Sequence, residues 1–469
     1  MNRRDLLQNA GLGFGALAAS ALLGESTAAA TTLAGTGLGP SEKFGKAKRV
    51  IYLFMHGGVS HVDTFDPKPA LEKWAGKPLT GEAVKGLKTS RIDFNKAIAR
   101  PSPFGFKRWG QSGMEISNLM PNIAAHADRL ALVRSCYGEA FDHAPAMYLR
   151  CSGVQIPGRP CLGSWLSYGL GSENKNLPGF VVMSDGAMKS GPQAYGAGYL
   201  PSRYQGTILR AGKNPILNLA TPPHVAPKAQ QNTVELVRDL DRLHLATRPG
   251  DSDLEARLES YELAYRMQSH APEAVDLASE SAATRKLYGI DEPLTDNFGR
   301  KCLLARRLVE RGVRFVQLFS GTHLGDDWDN AHDDLVGSHT RMAGKTDKPI
   351  AALLTDLQAL GLLDETLVVW ASEFGRTPLA EGKNGRDHHP YGFSMWMAGG
   401  GIKGGQVLGA TDEFGLRAVE DPFSIHDVHA TLLRLIGVDH LKLTYLYQSR
   451  EQRLTDVHGE HEFTKRLLG

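Results

Sequence analysis

The stretch LVVWASEFGRTPLAEGKNGRDHH, from Leu367 to His389, passes from an apolar β-branched run into a polar, glycine-bearing loop. Leu367-Val368-Val369-Trp370 has the make-up of a strand buried on both faces of a parallel sheet. Ser372, Glu373, Gly375, Arg376 and Thr377 follow at once, and the loop then delivers Asp387, His388 and His389. In an open α/β sheet, ligands sit in the crevice beyond the carboxyl ends of the strands. A carboxylate, a guanidinium and a histidine pair at such an end therefore read as a metal or oxyanion site. The plainer alternative is a helix N-cap followed by a solvated loop. Adjacent histidines beside an aspartate favour the site.

The same pattern recurs along the chain. Arg49 to Met55 reads as a buried strand that runs into His56-Gly57-Gly58-Val59-Ser60-His61-Val62-Asp63. The glycines let the backbone turn sharply or approach a ligand closely, and His56, Ser60, His61 and Asp63 stand where a strand-end site would be. Alternatively, Ser60 caps a helix and Asp66 opens an Asp-Pro turn. Val313 to Phe319 is a further strand, followed by His323, Asp326, Asp327, Asp329, His332, Asp333 and Asp334. Carboxylates and imidazoles at this spacing suit a divalent cation of the zinc or manganese type, and Trp328 among them implies order. Shorter strands are expected at Arg129 to Arg134, Gly179 to Ser184 and Met395 to Ala398. Helices are expected at Leu119 to Asp128, Leu162 to Leu170, Asp251 to Gln268, Asp296 to Arg311, Pro349 to Leu363 and, behind a Ser424 cap, Ile425 to Ile436. His426 and His429 in the last of these read as structural. Alternating strands and helices predict a three-layer α/β/α sandwich with a mostly parallel sheet. The polar text over about 68–111 and the irregular, then helical, text over about 185–290 read as insertions in a domain spanning 45–469, the 185–235 part forming a wall of the cleft.

With 469 residues, 42% hydrophobic and 22% charged, the chain has ample core for one large domain with insertions or for two. A net charge of +2 gives no ground for electrostatic capture of nucleic acid. The four cysteines (Cys136, Cys151, Cys161, Cys302) show no zinc-knuckle spacing and read as buried thiols. Gly399 to Gly405 lacks the lysine-serine pair of a phosphate-binding loop. At the N-terminus, Arg3-Arg4 precedes a short apolar run, Ala10 to Leu23, and the small residues Ala28-Ala29-Ala30. Residues 1–30 read as a twin-arginine export signal and 31–44 as a linker, placing the mature protein in the periplasm or outside the cell without stable membrane insertion.

The three strand-end clusters resemble the arrangement of the alkaline phosphatase and sulfatase superfamily over most of residues 45–440. More narrowly, MHGGVSHVDTFDPKP (Met55 to Pro69), WASEFGRTP (Trp370 to Pro378), GRDHHPYGFSMWMAGGG (Gly385 to Gly401) and the late LTDVHG resemble the bacterial domain-of-unknown-function 1501 family. The resemblance implies an alkaline phosphatase-like fold, one or two divalent metal ions (zinc, manganese or calcium) and an anionic phosphate or sulfate ester substrate, small or carried on a glycan. Carried over by position, His56 stands for the first strand's metal-binding acid, and Ser372-Glu373-Phe374-Gly375 for a Ser-Asp-His-Gly signature. His388 supplies the late histidine, with His389 as its neighbour, and Asp327 or Asp329 pairs with His332. The metal set implied is thus His56, Asp63, Asp327, Asp329, His332, Glu373 and His388, with Arg376 on the anionic group. Pro145 and Ser152-Gly153 keep the sulfatase spacing and put His143 where the nucleophile would stand. Ser60 is the nearby hydroxyl nominated as its substitute. The resemblance therefore implies a metal-dependent ester hydrolase, or alternatively a catalytically silent glycan- or partner-binding protein on the same fold. Phosphomutase chemistry is a third option, which export disfavours.

Overall fold

The computed structural model describes residues 45–459 and 463–468, apart from 211, 213, 218, 220, 222–223, 249–251 and 323–324. The expected export signal, the linker and His323 lie outside the described residues. Nine strands form one sheet: β1 (Arg49–Phe54), β2 (Ala131–Tyr137), β3 (Phe180–Met183), β4 (Thr207–Leu209), β5 (Phe315–Phe319), β6 (Thr366–Ala371), β7 (Phe393–Gly399), β8 (Gln406–Leu408) and β9 (Phe423–Ser424). Their order in space is β8-β2-β7-β6-β1-β5-β3-β4, with β9 also on β2. Strand β7 runs antiparallel to its neighbours β6 and β2; the other pairings in this sheet are parallel.

Strand alternation generates the layers. Ile51 and Leu53 of β1 and Met55 just after it join Val316, Leu318, Val368 and Trp370 on one face, against Leu303 and Leu304 of α3 (Asp296–Glu310) and Leu353 and Leu354 of α4 (Leu335–Ala359). Val50, Tyr52 and Phe54 face the other way, against Trp165 and Leu166 of α2 (Leu162–Leu170) and Leu432 and Leu433 of α5 (Ile425–Leu435). Every residue of β6 is buried, as its unbroken apolar run requires. The result is the expected three-layer α/β/α sandwich.

Several elements depart from expectation. Helix α4 begins at Leu335, fourteen residues before the expected start, and carries Pro349 inside it. An interior proline costs about 3 kcal/mol, but the turns before it bury Leu335, Met342 and Ala343, and Asp334 caps the first turn by accepting from the Gly337 amide at 2.9 Å. Burial of large side chains at roughly 2 kcal/mol each outweighs the proline. The helix expected over Leu119 to Asp128 shortens to Pro121–Ala124 and a 3₁₀ turn at Ala127–Arg129. The 68–111 excursion builds its own small core, in which Leu71, Leu79, Val84, Leu87 and Phe94 pack with Leu379, Phe414 and Leu416. The 185–290 region supplies β4 at the sheet edge as well as helices Pro227–Ala246 and Ser252–Val275. Ser424 and Asp427 form a capping box on α5, and His429 and His426 bond the carbonyls of Arg150 and Gly153. All four cysteines are buried and free. Among the described residues, no helix is long and apolar enough to cross a membrane.

The loops after β1, β3, β5 and β6 gather at one sheet edge, and Gly57 sets how closely two of them meet. Its φ is 112°, and a Cβ there would lie 2.5 Å from the Asp329 amide nitrogen and 2.7 Å from that of Trp328, which donates to the His56 carbonyl at 3.0 Å. Gly57→Ala is expected to destabilise the protein by on the order of 3 kcal/mol, through a strained backbone and a displaced Asp329. Chemical denaturation measures this; a change near zero would mean that the two loops are not held in contact.

Candidate functional site

The site is centred on one carboxylate oxygen. Asp329 lies in a 3₁₀ turn, Trp328–His332, and its amide donates to the capping Asp327 side chain. Around its Oδ1 stand Arg376 Nη2 at 2.7 Å, His143 Nε2 at 2.8 Å, His388 Nε2 at 3.1 Å and His332 Nε2 at 3.3 Å. Oδ2 of the same carboxylate accepts from Lys189 Nζ. His332 Nε2 and His388 Nε2 are 2.8 Å apart.

Each group reaches this point from a different element. His143 is the first residue of α1 (His143–Ser152), which Gly153 ends in the left-handed conformation at φ 76°. Its Nδ1 bonds Glu373 Oε1 at 2.7 Å, and that carboxylate also accepts from the Gly57 amide at 2.9 Å and the Ser372 hydroxyl at 3.1 Å. Arg376 and His388 face each other across a two-residue antiparallel ladder, Gly375–Arg376 with His388–His389, so both side chains take the same side. His389, one residue on, must point away; it bonds the Leu416 carbonyl and stacks on His61 at 5.9 Å. Glu381 holds His332 Nδ1, and the Phe141 carbonyl lies 2.7 Å from His388 Nδ1. Phe374 lies against the His388 and His143 rings, with centroids at 4.4 and 5.0 Å, and forms an aromatic wall.

The electrostatics follow from this geometry. Burial alone would raise the Asp329 pKa, but the three imidazoles and Arg376 outweigh it and hold the carboxyl far below the usual range. Burial likewise works to raise Glu373, yet His143 draws it down to about 2. For His143, burial opposes protonation, and the carboxylates of Asp329 and Glu373 prevail and raise its pKa. His388, buried beside Arg376, is lowered to about 3 despite its bond to Asp329. Arg376 is fully buried; its Nε and Nη1 donate to the carbonyls of Gly58 and Arg386, and Nη2 to that of Gly57. What it offers the site is fixed positive charge rather than an open fork. Asp329, Lys189, Glu381 and His143 are the groups that reach solvent, with side chains 22%, 15%, 14% and 11% exposed.

The donor set fits a divalent cation. Asp329, His388 and His143 present ligand atoms within 4.8 Å of one another, and His332 adds a further nitrogen beside His388. The His143–Asp329 contact is short but not aligned as a hydrogen bond. Two imidazole nitrogens at 2.8 Å converge on the same side of one carboxylate oxygen, an arrangement that a shared cation satisfies. Asp387 also lies near His332 and His388, but its oxygens are taken up by the Thr89 and Ser90 hydroxyls and the amides of Arg91, Ile92 and His388.

Of the residues expected from sequence, His143, Asp329, His332, Glu373, Arg376 and His388 come together, with Asp327 and His56 directly behind. Ser60 and Asp63 stand apart. The Ser60 hydroxyl donates to Asp63 at 2.5 Å, and Asp63 takes Arg386 Nε at 2.8 Å and Nη2 at 3.2 Å, all of it fully buried. Lys189 and Glu381 were not anticipated. Lys189 lies in the irregular stretch expected to wall the cleft, where one lysine carries no signal of its own. Glu381 lies inside the quoted strand-end loop.

The chain belongs to the family described as protein of unknown function (DUF1501), whose model matches residues 47–464. No curated protein sequence matches it. Solved structures similar to it include the PsFucS1 sulfatase from Pseudoalteromonas sp., at 14% identity over 84% of this chain and 68% of that one, TM-score 0.36. Another is the lipoteichoic acid synthase LtaP from Listeria monocytogenes, at 10% identity over 86% and 76%, TM-score 0.35. A third is the TAB5 alkaline phosphatase in a magnesium-bound mutant form, at 9% identity over 84% and 99%, TM-score 0.38.

Two outcomes follow from the placement of the carboxylates. Asp63→Asn strands the buried Arg386 charge, so a loss of about 3–5 kcal/mol in denaturation is expected, with metal content unchanged. Metal lost without that destabilisation would put Asp63 among the ligands instead. In chelator-treated protein, Glu373→Gln is expected to cost on the order of 3 kcal/mol at neutral pH. A carboxyl whose pKa is lowered on folding contributes stability above its unfolded value of about 4.3, lost as pH falls to the folded value. The gap between wild type and variant should therefore close from about pH 4 toward pH 2 in urea titrations. A gap that does not vary with pH would mean that the charge of Glu373 contributes nothing.

Proposed function

We propose that this family member is an exported, metal-dependent hydrolase of phosphate or sulfate esters. The observation that carries the reading is the convergence of three imidazoles on Asp329 Oδ1, beside the buried guanidinium of Arg376. Asp329, His332 and His388 would hold the metal, and Glu381 and the Phe141 carbonyl would orient the two histidines from behind. A divalent cation bound there would polarise an ester oxygen and lower the pKa of a bound water.

The chain's own residues divide the remaining work. Arg376 supplies positive charge where an anionic ester would bind, and the N-terminus of α1 adds its partial charge from the same side. Against the effect of burial, the carboxylates of Asp329 and Glu373 raise the pKa of His143 and favour its protonated form. With Glu373 on Nδ1, its Nε2 stands beside Asp329 Oδ1, the point at which a leaving oxygen would need a proton. The Ser60 hydroxyl is committed to Asp63, so the reading assigns the attack to water rather than to a side chain. The substrate class is an anionic ester, small or carried on a glycan. Export rests on the Arg3-Arg4 start and the Ala10 to Leu23 run.

One observation favours a second reading, a catalytically silent binding protein. The first position of α1 holds a histidine bound to two carboxylates, not a hydroxyl or thiol. Elemental analysis of the mature protein beside an Asp329→Ala/His388→Ala double variant tests the metal. One or more equivalents in the wild type, absent from the double variant, is the expected result; none in either would end the metal-dependent reading. Turnover of aryl phosphates, phosphodiesters or sulfates by the metal-loaded protein then separates hydrolase from binder. Tight binding of the same esters without turnover would establish the second reading.

A further inference from the structure

We propose that Lys189 is a tethered cation standing where a second metal ion would bind, on Asp327 and His56, so that the site takes one divalent ion rather than two. The inference rests on the metal-dependent reading above and specifies its stoichiometry.

Asp327 and His56 lie directly behind Asp329. Oδ1 of Asp327 caps the Asp329 amide at 3.0 Å, and Oδ2 is turned inward, with no hydrogen-bond partner. His56 is fully buried, and neither of its ring nitrogens has a partner. Buried polar atoms left this way are costly, and folds rarely keep two of them facing one another without a ligand to share. His56 Nδ1 and Asp327 Oδ2 are 3.6 Å apart, too far for a hydrogen bond. That is about the separation of two ligands on one cation with bonds of roughly 2.0–2.2 Å.

Lys189 meets this pair from the solvent side. Its Nζ bonds Asp329 Oδ2 and lies 3.4 Å from Asp327 Oδ2, bridging the two carboxylates as a shared metal ion would. The gap between Asp327 Oδ2 and Asp329 Oδ2 holds either an ammonium or a divalent ion, because both together would bring like charges into contact. The loop that carries the lysine is also held in place. Four residues before it, Asp185 is gripped by the buried Lys301, whose Nζ donates to it at 2.5 Å and to the Phe319 carbonyl, at the end of β5, at 2.9 Å. The loop bearing Lys189 is thereby fastened to the same strand end that carries Asp327 and Asp329. The outer subsite of Asp329, His332 and His388 is left for the metal.

Metal content of chelator-stripped and reloaded protein decides the matter, measured with zinc and with manganese on wild type, Lys189→Met and Lys189→Arg. One equivalent is expected in wild type and in Lys189→Arg, and two in Lys189→Met, which keeps the length of the side chain without its charge. Adding Asp327→Asn to Lys189→Met should return the count to one, which locates the second ion. Two equivalents in wild type, or one in both wild type and Lys189→Met, would overturn the inference and leave the metal-dependent reading standing. None in wild type with one in Lys189→Met would overturn that reading while keeping the lysine as the excluding charge. None in either would overturn both. A thermal melt of each stripped protein confirms that the variants fold before they are counted.

Discussion

A charged oxygen taken largely out of water must be repaid by its neighbours, and Asp329 is where this chain meets that demand. Desolvation of a carboxylate is the largest opposing effect at the site, and attraction in a low dielectric offsets it only when the geometry is good. The fold responds by bringing donors from five separate segments to one carboxylate. Each donor is itself fixed from behind: His143 by Glu373, His332 by Glu381, His388 by a backbone carbonyl and Arg376 by three carbonyls. A single carboxylate thus draws together the segments after β2, β3, β5 and β6. The sheet beneath supplies the common edge on which they can meet.

Much of that edge is legible in the sequence. The apolar runs before His56, before Asp326 and before Ser372 are long, β-branched and bounded by polar glycine-bearing text, so strand and strand end are both marked. Residue types then mark three acid-and-histidine clusters, and the family resemblance narrows them to a set that includes His56, Asp327, Asp329, His332, Glu373 and His388. Pairing is what the sequence hides. Asp63 carries the same signal as Asp329, but its partner Arg386 is hundreds of positions away and the two close on each other as a buried ion pair. Lys189 is one charged residue in irregular text, and only the folded loop shows which carboxylates it meets. The choice between His388 and His389 follows from strand alternation, yet the ladder that imposes it is two residues long and leaves no periodic trace. At Pro349, which reads as a helix start, packing on the sheet carries the helix back to Leu335 instead.

Away from the site, two ion pairs act as clamps, one fully buried and the other with its lysine buried and its acid partly exposed. Asp63 with Arg386 ties the turn after β1 to the loop that ends in His388, and Arg386 also reaches the carbonyls of Arg100 and Pro101. Lys301 with Asp185 ties α3 to the loop after β3. Such pairs contribute little net stability against apolar replacements of the same shape, but they punish misalignment severely. Their value here lies in geometry. Each fixes a long loop at a point close to the residue that loop must deliver.

The wide spacing of the site along the chain has a consequence for how the protein comes into being. His56 arrives early in synthesis and His388 late, and no two neighbouring elements hold enough of the constellation to form it alone. Contacts of such long range are reached only after most of the closure entropy has been met by other parts of the fold. Until β6 and the loop beyond it are in place, Asp329 has neither Arg376 nor His388, and its charge belongs in water. Completion of this cluster therefore reports that the whole domain has closed, and a nascent or truncated chain would carry the same acids and imidazoles as ordinary, solvated side chains.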